Sequence, residues 1–473
     1  MHLDEDFPPL PSKRNSNGGN SVDSKRANPV LNAVKPKWNN RAFIMDLPTE
    51  LLLLVLENFD PDQFRQTLVS LSQTNRRFHG LVMEKLYSKY ASSIGSPYLF
   101  LRTMVTTPRA AEKVKTLAWS YGSRESDSDD ESYGRCYHHN SKVREKYNPT
   151  VSDRGLIKNR PKAVDIPGWK KFATKCNNYC DEQEEILFAA VLMQTANIET
   201  LEIEDGPTPY QVPRWMDLIR HTASGNSFGR IHSFKHLRSV RIIRGFMHLA
   251  DISPLFRLQS MRTLSLEEVM ETAHDAKWNI PPCTSLIEEL YLYDCLILPE
   301  TLAGLVSCCR KLTVFEYVSV DANVNTQVYR LGHALQRHSH ALKSLLLADG
   351  FFSVSQHYSA FWLSDSLRHY EKLTRVAVPL SALVDKTIPR SCTLADRLPA
   401  CLRRLELNVG SEEPASECEP VIKHLANSSS TYLPLLEEVT ISIDSIPIHF
   451  KLDWKRLRDA FSASGVAFNF RYR

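Results

Sequence analysis

Residues 47–56 read Leu-Pro-Thr-Glu-Leu-Leu-Leu-Leu-Val-Leu, and this stretch decides how the first part of the chain folds. Pro48 suits the first turn of a helix, where its missing N–H costs nothing and its fixed φ already fits. Leu53 and Leu54 fall outside the main apolar stripe, so the predicted helix is apolar on nearly all sides. A helical unit of about 50 residues is too small to bury such a helix alone, so we expect part of this surface to contact a partner. The stripe comprises Leu51, Leu52, Val55, Leu56 and Phe59.

Two further segments show helical spacing directly after this one. Asp60-Pro61-Asp62 marks a turn and a helix start, and apolar residues then recur up to Asn75. A third amphipathic segment follows without a helix breaker. We therefore predict three consecutive helices. The apolar positions of the second and third helices are Phe64, Leu68 and Leu71, and then Phe78, Leu81, Val82 and Leu86.

The combined pattern of these segments resembles the F-box. The resemblance rests on Leu-Pro-x-Glu-Leu-Leu-x-x-Val-Leu, a short turn, Leu-Val-Ser-Leu-Ser and then Asn-Arg-Arg-Phe. It implies that the helices bind a Skp-type adaptor, which joins the protein to a cullin-based ubiquitin ligase, while the rest of the chain selects a substrate. The alternative is a small helical bundle that matches by chance. The adaptor-binding residues implied are Leu47, Pro48, Leu51, Leu52, Val55, Leu56 and Phe78, the last of which replaces a common Trp.

Composition excludes several classes of protein. The 473 residues carry 58 Lys and Arg against 54 Asp and Glu, a balance that does not indicate nucleic-acid binding. The N-terminus lacks the apolar core of a signal peptide, and the longest apolar run, residues 186–193, is too short to span a membrane. We therefore expect a protein of the cytoplasm, the nucleus or both, with no membrane partner and with its ten cysteines reduced.

Beyond the helices, a six-residue frame of the form apolar-x-x-apolar-x-apolar recurs ten times. From residue 198 onward the frame starts are 24 to 39 residues apart, a recurrence typical of a solenoid. Five of the 17 glycines fall eight residues after a frame start, where a repeat must turn. The stretch Ile287-x-x-Leu290-x-Leu292-x-x-Cys295 carries the full leucine-rich-repeat signature. The ten frames start at Val114, Ile198, Leu237, Met261, Ile287, Leu312, Leu342, Leu373, Leu402 and Leu436.

Helical spacing between the frames makes each unit strand, turn and helix. The predicted fold class is α/β, an N-terminal three-helix F-box followed by an irregular leucine-rich-repeat solenoid. Parallel strands form its concave face, and helices lie outside. The chain resembles F-box proteins with leucine-rich repeats, a type abundant in fungi. The predicted divisions are a disordered tail (1–41), the F-box (42–90), a connection and first repeat (91–122), a disordered charged insert (123–180) and the solenoid (181–473).

The third and fifth residues of each frame, and the residue directly after the frame, are predicted to face the concave surface. They include seven acidic residues against three arginines. With tyrosines at the centre, this face suits a basic protein segment with an aromatic or aliphatic anchor, and its acidity argues against nucleic acid. Alternatively, the acidic face is only hydrated surface and loops or the tail bind the substrate. The predicted substrate-binding residues are Glu267, Glu289, Tyr291, Tyr293, Glu316 and Leu346.

Three motifs suggest other chemistry. Gly225-Asn-Ser227-Phe-Gly229 matches a nucleophile elbow, but what precedes it reads as a helix end where the motif needs a buried strand. Ser126 and Ser128 precede acidic residues, either as phosphorylation sites or as part of a hydrated acidic run. A zinc site in the insert would have unusual spacing, and free thiols are the alternative, so we predict no metal and no cofactor. Its ligands would come from Cys136, His138, His139, Cys176 and Cys180.

We therefore expect a non-catalytic substrate-recognition subunit of a Skp–cullin–F-box ubiquitin ligase. Two alternatives remain: a scaffold that binds the adaptor without ubiquitination, and a serine hydrolase that uses Ser227. Co-purification of cullin separates the ligase subunit from the scaffold. Reaction of Ser227 with a serine-directed probe separates the hydrolase from both.

Overall fold

The computed structural model describes residues 44–60, 63–93, 95–121, 150–162, 181–204, 212–225, 233–243, 247–271, 278–319, 329–348, 363, 367–384, 394–409, 415–443 and 453–472. The chain forms two compact units, Met1–Leu54 and Val55–Arg473. The five glycines at the predicted repeat turns lie outside the described residues, as do residues 1–41.

Helix α1 (Thr49–Glu57) follows a short 3₁₀ turn at Ile44–Asp46. Pro48 directly precedes α1, and its carbonyl accepts a 3.1 Å hydrogen bond from the Leu52 N–H. The first helical turn thus closes without an N–H from the proline. The helix predicted to begin at Pro48 is therefore present, within one residue of its expected start.

The second and third predicted helices are also present. They are α2 (Arg65–Ser72) and α3 (Arg76–Ser88), which pack against each other within the second unit. Asn75 caps α3, since its Oδ1 accepts a 2.9 Å hydrogen bond from the Phe78 N–H. α3 runs directly into the first strand of a sheet, so this part of the helical region is continuous with the repeats that follow.

The described part of the second unit contains a twelve-stranded sheet in which every paired neighbour is parallel. The strands lie side by side in the order of the sequence, a topology compatible with a solenoid. They are β1 (Lys89–Ala91), β2 (Thr116–Ser120), β3 (Thr200–Glu204), β4 (Ser239–Ile243), β5 (Thr263–Glu267), β6 (Glu289–Cys295), β7 (Val314–Ser319), β8 (Ser344–Ala348), β9 (Arg375–Pro379), β10 (Arg404–Val409), β11 (Glu438–Ile443) and β12 (Ala467–Tyr472).

Strands β2 to β11 coincide with the ten frames read from the sequence. Equivalent frame positions pair across the sheet, as in Leu201 with Val240 and Leu264 with Leu290. β12 follows the last of the ten frames and pairs with β11. β1 was not predicted, because Ser92 stands where the other frames carry an apolar residue. Ser92 is buried, and its Oγ accepts a 2.9 Å hydrogen bond from the Ser120 N–H, which satisfies the polar group.

In strands β2 to β11 one face is buried. In β2, β3 and β5 the residues alternate between half-buried and buried, and the fourth and sixth residues of each frame are the buried ones. These residues join helix side chains in one core. The helices are α4 (Pro97–Thr106), α5 (Pro108–Ala111), α6 (Val151–Lys162), α7 (Asp181–Gln194), α8 (Arg214–Ala223), α9 (Leu249–Arg257), α10 (Pro299–Cys308), α11 (Tyr329–Gln336), α12 (Leu394–Arg397), α13 (Ala415–Tyr432) and α14 (Trp454–Ala463).

Helix α6 corrects one expectation, because it lies inside the segment predicted to be a largely disordered loop. Thr150 and Asp153 form a capping box at its start. The Thr150 N–H and hydroxyl both donate to the Asp153 carboxylate, at 2.9 and 2.7 Å, and the Asp153 N–H donates to Thr150 Oγ1 at 3.2 Å. α6 packs against α4 and α7. The rest of the predicted insert, residues 123–149 and 163–180, lies outside the described residues.

The longest apolar run of the sequence lies in α7. Ile186–Met193 are all buried, with no side chain more than 3% exposed. Neighbouring helices α4, α6 and α8 pack around it, which accounts for a helix that is apolar on all sides. Among the described residues, no helix is both long enough and apolar enough to cross a membrane.

Candidate functional site

Helix α1 exposes three leucine side chains close together in sequence. Leu51, Leu53 and Leu54 are 45%, 37% and 54% exposed. All three belong to the first unit, and we call them the α1 apolar patch. Exposed leucines on one short helix form a patch of the kind that marks protein–protein contact sites. Leu53 and Leu54 are the two leucines that fall outside the main apolar stripe. Their position outside the stripe is the sequence signal that predicted this exposed surface.

The predicted adaptor-binding residues divide into two groups. Pro48, Leu51 and Val55 are exposed and Leu47 is half-buried. Leu52, Leu56 and Phe78 are buried, so they offer no free surface for contact and instead support the helices that carry it. Leu52 and Leu56 form an i, i+4 pair and share the buried side of α1. Adaptor binding by the seven residues stays a prediction.

The second unit adds exposed apolar side chains near its own start. Val55, Phe64 and Val69 are exposed, and the rings of Phe59 and Phe64 pack edge to face with centroids 5.3 Å apart. Of thirteen exposed large apolar side chains in the described residues, seven lie between residues 44 and 69. Within each unit these side chains concentrate in one short stretch of sequence, which favours a binding role over scattered surface residues. Ile44, Phe64 and Val69 were not predicted as site residues. Ile44 and Val69 lie outside the periodic apolar positions, and Phe64 was interpreted as one of the apolar positions of the second helix.

The sheet brings three of the predicted substrate-binding residues into one row. Tyr291 is the register partner of Glu316, and Glu316 is the partner of Leu346 on the next strand. Adjacent strands lie about 4.8 Å apart, so these side chains are neighbours. Glu267 and Tyr293 are likewise partners across β5 and β6. We call this surface of β5 to β8 the tyrosine–carboxylate face.

Two tyrosines occupy its centre, with ring centroids 6.3 Å apart and ring planes 27° from parallel. The Tyr293 hydroxyl donates a 2.5 Å hydrogen bond to Glu316 Oε2, and the Tyr291 hydroxyl donates at 3.4 Å to Glu289 Oε2. Burial and the charge of Glu289 raise the pKa of Tyr291 to about 12, and burial with the Glu316 bond also raises the pKa of Tyr293. Both phenols therefore stay neutral near pH 7, and together with two carboxylates they form a surface suited to a cation.

Two of the three arginines on this side of the sheet approach acidic neighbours. Arg375 Nη1 lies 3.8 Å from Glu316 Oε1, and Arg404 Nε lies 3.8 Å from Glu438 Oε2. Arg241 is the third arginine on this side. Five further acidic residues lie on the same side and outnumber Arg241; they are Glu202, Glu204, Glu267, Glu289 and Glu406. The local charge is therefore negative although the chain as a whole is net positive.

The structure does not provide the strand that the hydrolase interpretation needs. Residues 214–223 form helix α8, whereas a nucleophile elbow follows a buried strand. Ser227 itself lies outside the described residues, and so do the five Cys and His residues considered for zinc. In the described part of the chain, no three metal-binding side chains form a group that could hold an ion.

One buried carboxyl was not recognised from the sequence. Glu185 on α7 is buried, and its Oε2 accepts a 2.5 Å hydrogen bond from the N–H of Arg214, the first residue of α8. Burial raises the pKa of Glu185 to about 7, and the Arg214 N–H and charge only partly oppose the shift. A shifted carboxyl often marks a catalytic site, but here it holds a helix N-terminus, so we assign it a structural role.

This shift predicts how stability depends on pH. The folded-state pKa of Glu185 is raised above its unfolded value, so its contribution is fully present below pH 4.5 and is lost as pH rises through about 7. A shift from 4.5 to about 7 corresponds to roughly 3 kcal/mol. Glu185→Gln keeps an acceptor for Arg214 without ionising. We expect its free energy of unfolding to exceed that of the wild type at pH 8 and to match it near pH 5.

Denaturant unfolding at both pH values measures this difference, with exposed Glu437→Gln as the matched control. Other groups titrate in the same range, so the comparison between the variant and the wild type at each pH is the informative quantity. An equal difference at pH 5 and pH 8 would show that Glu185 is not the titrating group.

Comparison with known proteins adds one finding. No curated protein matches the chain. Residues 44–87 match the F-box domain. These residues contain α1, α2 and nearly all of α3, the three helices that the sequence predicts. An F-box domain therefore occupies residues 44–87 of this chain.

Proposed function

We propose that this protein is the substrate-recognition subunit of a Skp–cullin–F-box ubiquitin ligase, acting in the cytoplasm, the nucleus or both. The F-box domain implies binding of a Skp-type adaptor and supports a role as an adaptor-binding subunit. The observation that carries the proposal is that this domain coincides with the exposed leucines of the α1 apolar patch. Burial of such side chains drives protein association. The subunit itself carries no catalytic residue in this proposal.

The sheet supports the second half of the proposal, a leucine-rich-repeat array that binds the substrate. Strands in sequence order with frames in register are what a stack of repeats requires. At Cys295 the Sγ donates to the Leu266 carbonyl of the preceding repeat at 3.7 Å. Asp294 just before it has φ of +50°, so the chain turns there. A buried Cys at the end of the strand is the feature expected of the repeat signature.

We further propose that the tyrosine–carboxylate face takes the substrate. Its carboxylates favour a basic segment, and its tyrosines with Leu346 offer an aromatic and aliphatic anchor. This chemistry also disfavours a phosphorylated segment at this face, because two negative groups would repel each other.

Reconstitution tests the function against the scaffold alternative. The full chain is purified with a Skp-type adaptor and a cullin, and proteins captured in cells by proximity labelling are offered for ubiquitination. We expect cullin to co-purify and a captured protein to be ubiquitinated only when the chain is present. Adaptor binding without cullin, or capture without ubiquitination, would favour a scaffold.

A further inference from the structure

A basic cleft lies on the second unit, and none of its lining residues belongs to the tyrosine–carboxylate face. Its volume is about 920 Å³. Four cationic residues line it, Lys235, Arg238, Arg257 and Arg262, and no Asp or Glu does so among the described residues. The lining also includes the last turn of α8 and the end of α9.

The repeat architecture brings the four cations together. Arg238 and Arg262 occupy the second position of successive frames, directly before β4 and β5, whose first residues Ser239 and Thr263 are register partners. The two arginines therefore sit about one strand spacing, 4.8 Å, apart along the sheet. Lys235 precedes the first of them by three residues, and Arg257 ends α9. These residues are separate in the sequence, so no motif reveals the group.

The pairing of like charges here differs from other repeats. At the same frame position, Lys115 lies 2.7 Å from Glu199, and Arg403 lies 2.6 Å from Glu437. Opposite charges on adjacent strands stabilise a sheet, whereas like charges destabilise it. In the same row Glu199 adjoins Arg238 and Glu288 adjoins Arg262, so each arginine also has one acidic neighbour that offsets part of this repulsion. An anion bound between the two arginines would offset the rest.

Only some of the four cationic side chains make polar contacts within the protein. Arg262 Nη1 donates to the carbonyls of Met261 and Gln259, at 2.7 and 3.1 Å, and Arg257 Nη2 donates to Asn279 at 3.3 Å. Arg262 Nε also lies 3.9 Å from Glu288 Oε1, at the outer limit of an ion pair. The side chains of Lys235 and Arg238 are exposed and make no hydrogen bond among the described residues. The ends of α8 and α9 each contribute a partial charge of about −0.5, which is too little to balance four cations.

We propose that this cleft binds a phosphate-bearing ligand with room for more than one phosphoryl group. Arginine and lysine are the side chains that bind phosphate, arginine through paired N–H groups and lysine as a point charge. The volume falls within the range of about 300–1,000 Å³ that small-molecule sites occupy, and it exceeds the space that one phosphate fills. The acidic tyrosine–carboxylate face would repel such a ligand, so the two sites take different ligands.

Calorimetric titration of the full chain tests the proposal. The probes are inorganic pyrophosphate, tripolyphosphate and a peptide of residues 121–134 phosphorylated at Ser126 and Ser128, with the unphosphorylated peptide for comparison. We expect binding of a phosphate probe that weakens as KCl is raised. The variant Lys235→Gln/Arg238→Gln should bind at least tenfold more weakly, since it loses two of the four cations. Binding of the phosphorylated peptide alone identifies a protein segment as the ligand, and binding of the inorganic probes alone identifies a small phosphate compound.

The matched control is Arg310→Gln/Lys343→Gln. Arg310 and Lys343 occupy the frame positions equivalent to Lys235 and Arg238 in later repeats, and both are exposed. This control should bind within about twofold of the wild type. Thermal melts of both variants establish that they fold. The proposal is overturned if no phosphate probe binds, or if the two double variants bind equally well.

Discussion

The variant Leu51→Asp/Leu54→Asp should lose binding of a Skp-type adaptor by at least a thousandfold. Both leucines belong to the exposed α1 apolar patch. Burying one leucine contributes about 1.5–3 kcal/mol, so two contribute at least about 3 kcal/mol. Burying a carboxylate in their place adds a further penalty. Together these effects exceed the roughly 4 kcal/mol that a thousandfold change requires. Surface plasmon resonance with immobilised adaptor measures the loss.

A matched pair of substitutions separates this effect from a general loss of solubility or folding. Leu298 and Leu435 are exposed to a similar degree but lie far outside residues 44–87. The variant Leu298→Asp/Leu435→Asp should bind the adaptor as the wild type does. Adaptor binding that survives the α1 substitutions, or that falls equally in both variants, would show that the α1 apolar patch is not the contact.

Sequence reasoning located the sheet well because burial imposes a simple period on it. A strand with one buried face repeats every two residues, and frames such as Ile287, Leu290 and Leu292 show that period directly. It failed at β1, where Ser92 replaces the apolar residue of the sixth position and is stabilised by a hydrogen bond. That bond joins residues 28 positions apart, and no local pattern contains such information.

Helix α6 illustrates a different limit. Its sequence has little apolar periodicity, so composition favoured a loop, yet the Thr150–Asp153 capping box was readable as a helix start. The sequence therefore contains a helix-start signal, but the high charge of the segment favoured the prediction of a disordered loop. Packing against α4 and α7 then supplies the burial that the isolated segment lacks.

Some features of the candidate sites could be predicted from local sequence, and others could not. The α1 apolar patch could be found from the sequence, because Leu53 and Leu54 break the amphipathic pattern. The pairing of Tyr293 with Glu316 and the clustering of Lys235 with Arg257 could not, because both depend on which repeats adjoin. For the tyrosine–carboxylate face, the sequence predicted which residues share one side of the sheet and that their net charge is negative. The register between neighbouring strands determines which carboxylate accepts a hydrogen bond from which tyrosine hydroxyl.

The second large effect concerns the tyrosine–carboxylate face. The variant Glu289→Lys/Glu316→Lys/Tyr291→Ala should capture substrate 10 to 100 times more weakly, about 1.4–2.8 kcal/mol, while adaptor binding stays intact. The lysines reverse the charge that attracts a basic segment, and the alanine removes an aromatic anchor. The measurement is the affinity of the wild type and the variant for a protein obtained by proximity labelling.

The matched control must change the net charge equally without touching this face. Glu300→Lys/Glu437→Lys does so, because Glu300 lies in α10 and Glu437 precedes β11, and their side chains are 40% and 53% exposed. If the face reads a basic segment, only the first variant loses capture, and raising the salt concentration reduces the difference between them. Equal loss in both variants would mean that only long-range charge matters. Unchanged or improved capture by the face variant would mean that loops or the N-terminal tail bind the substrate.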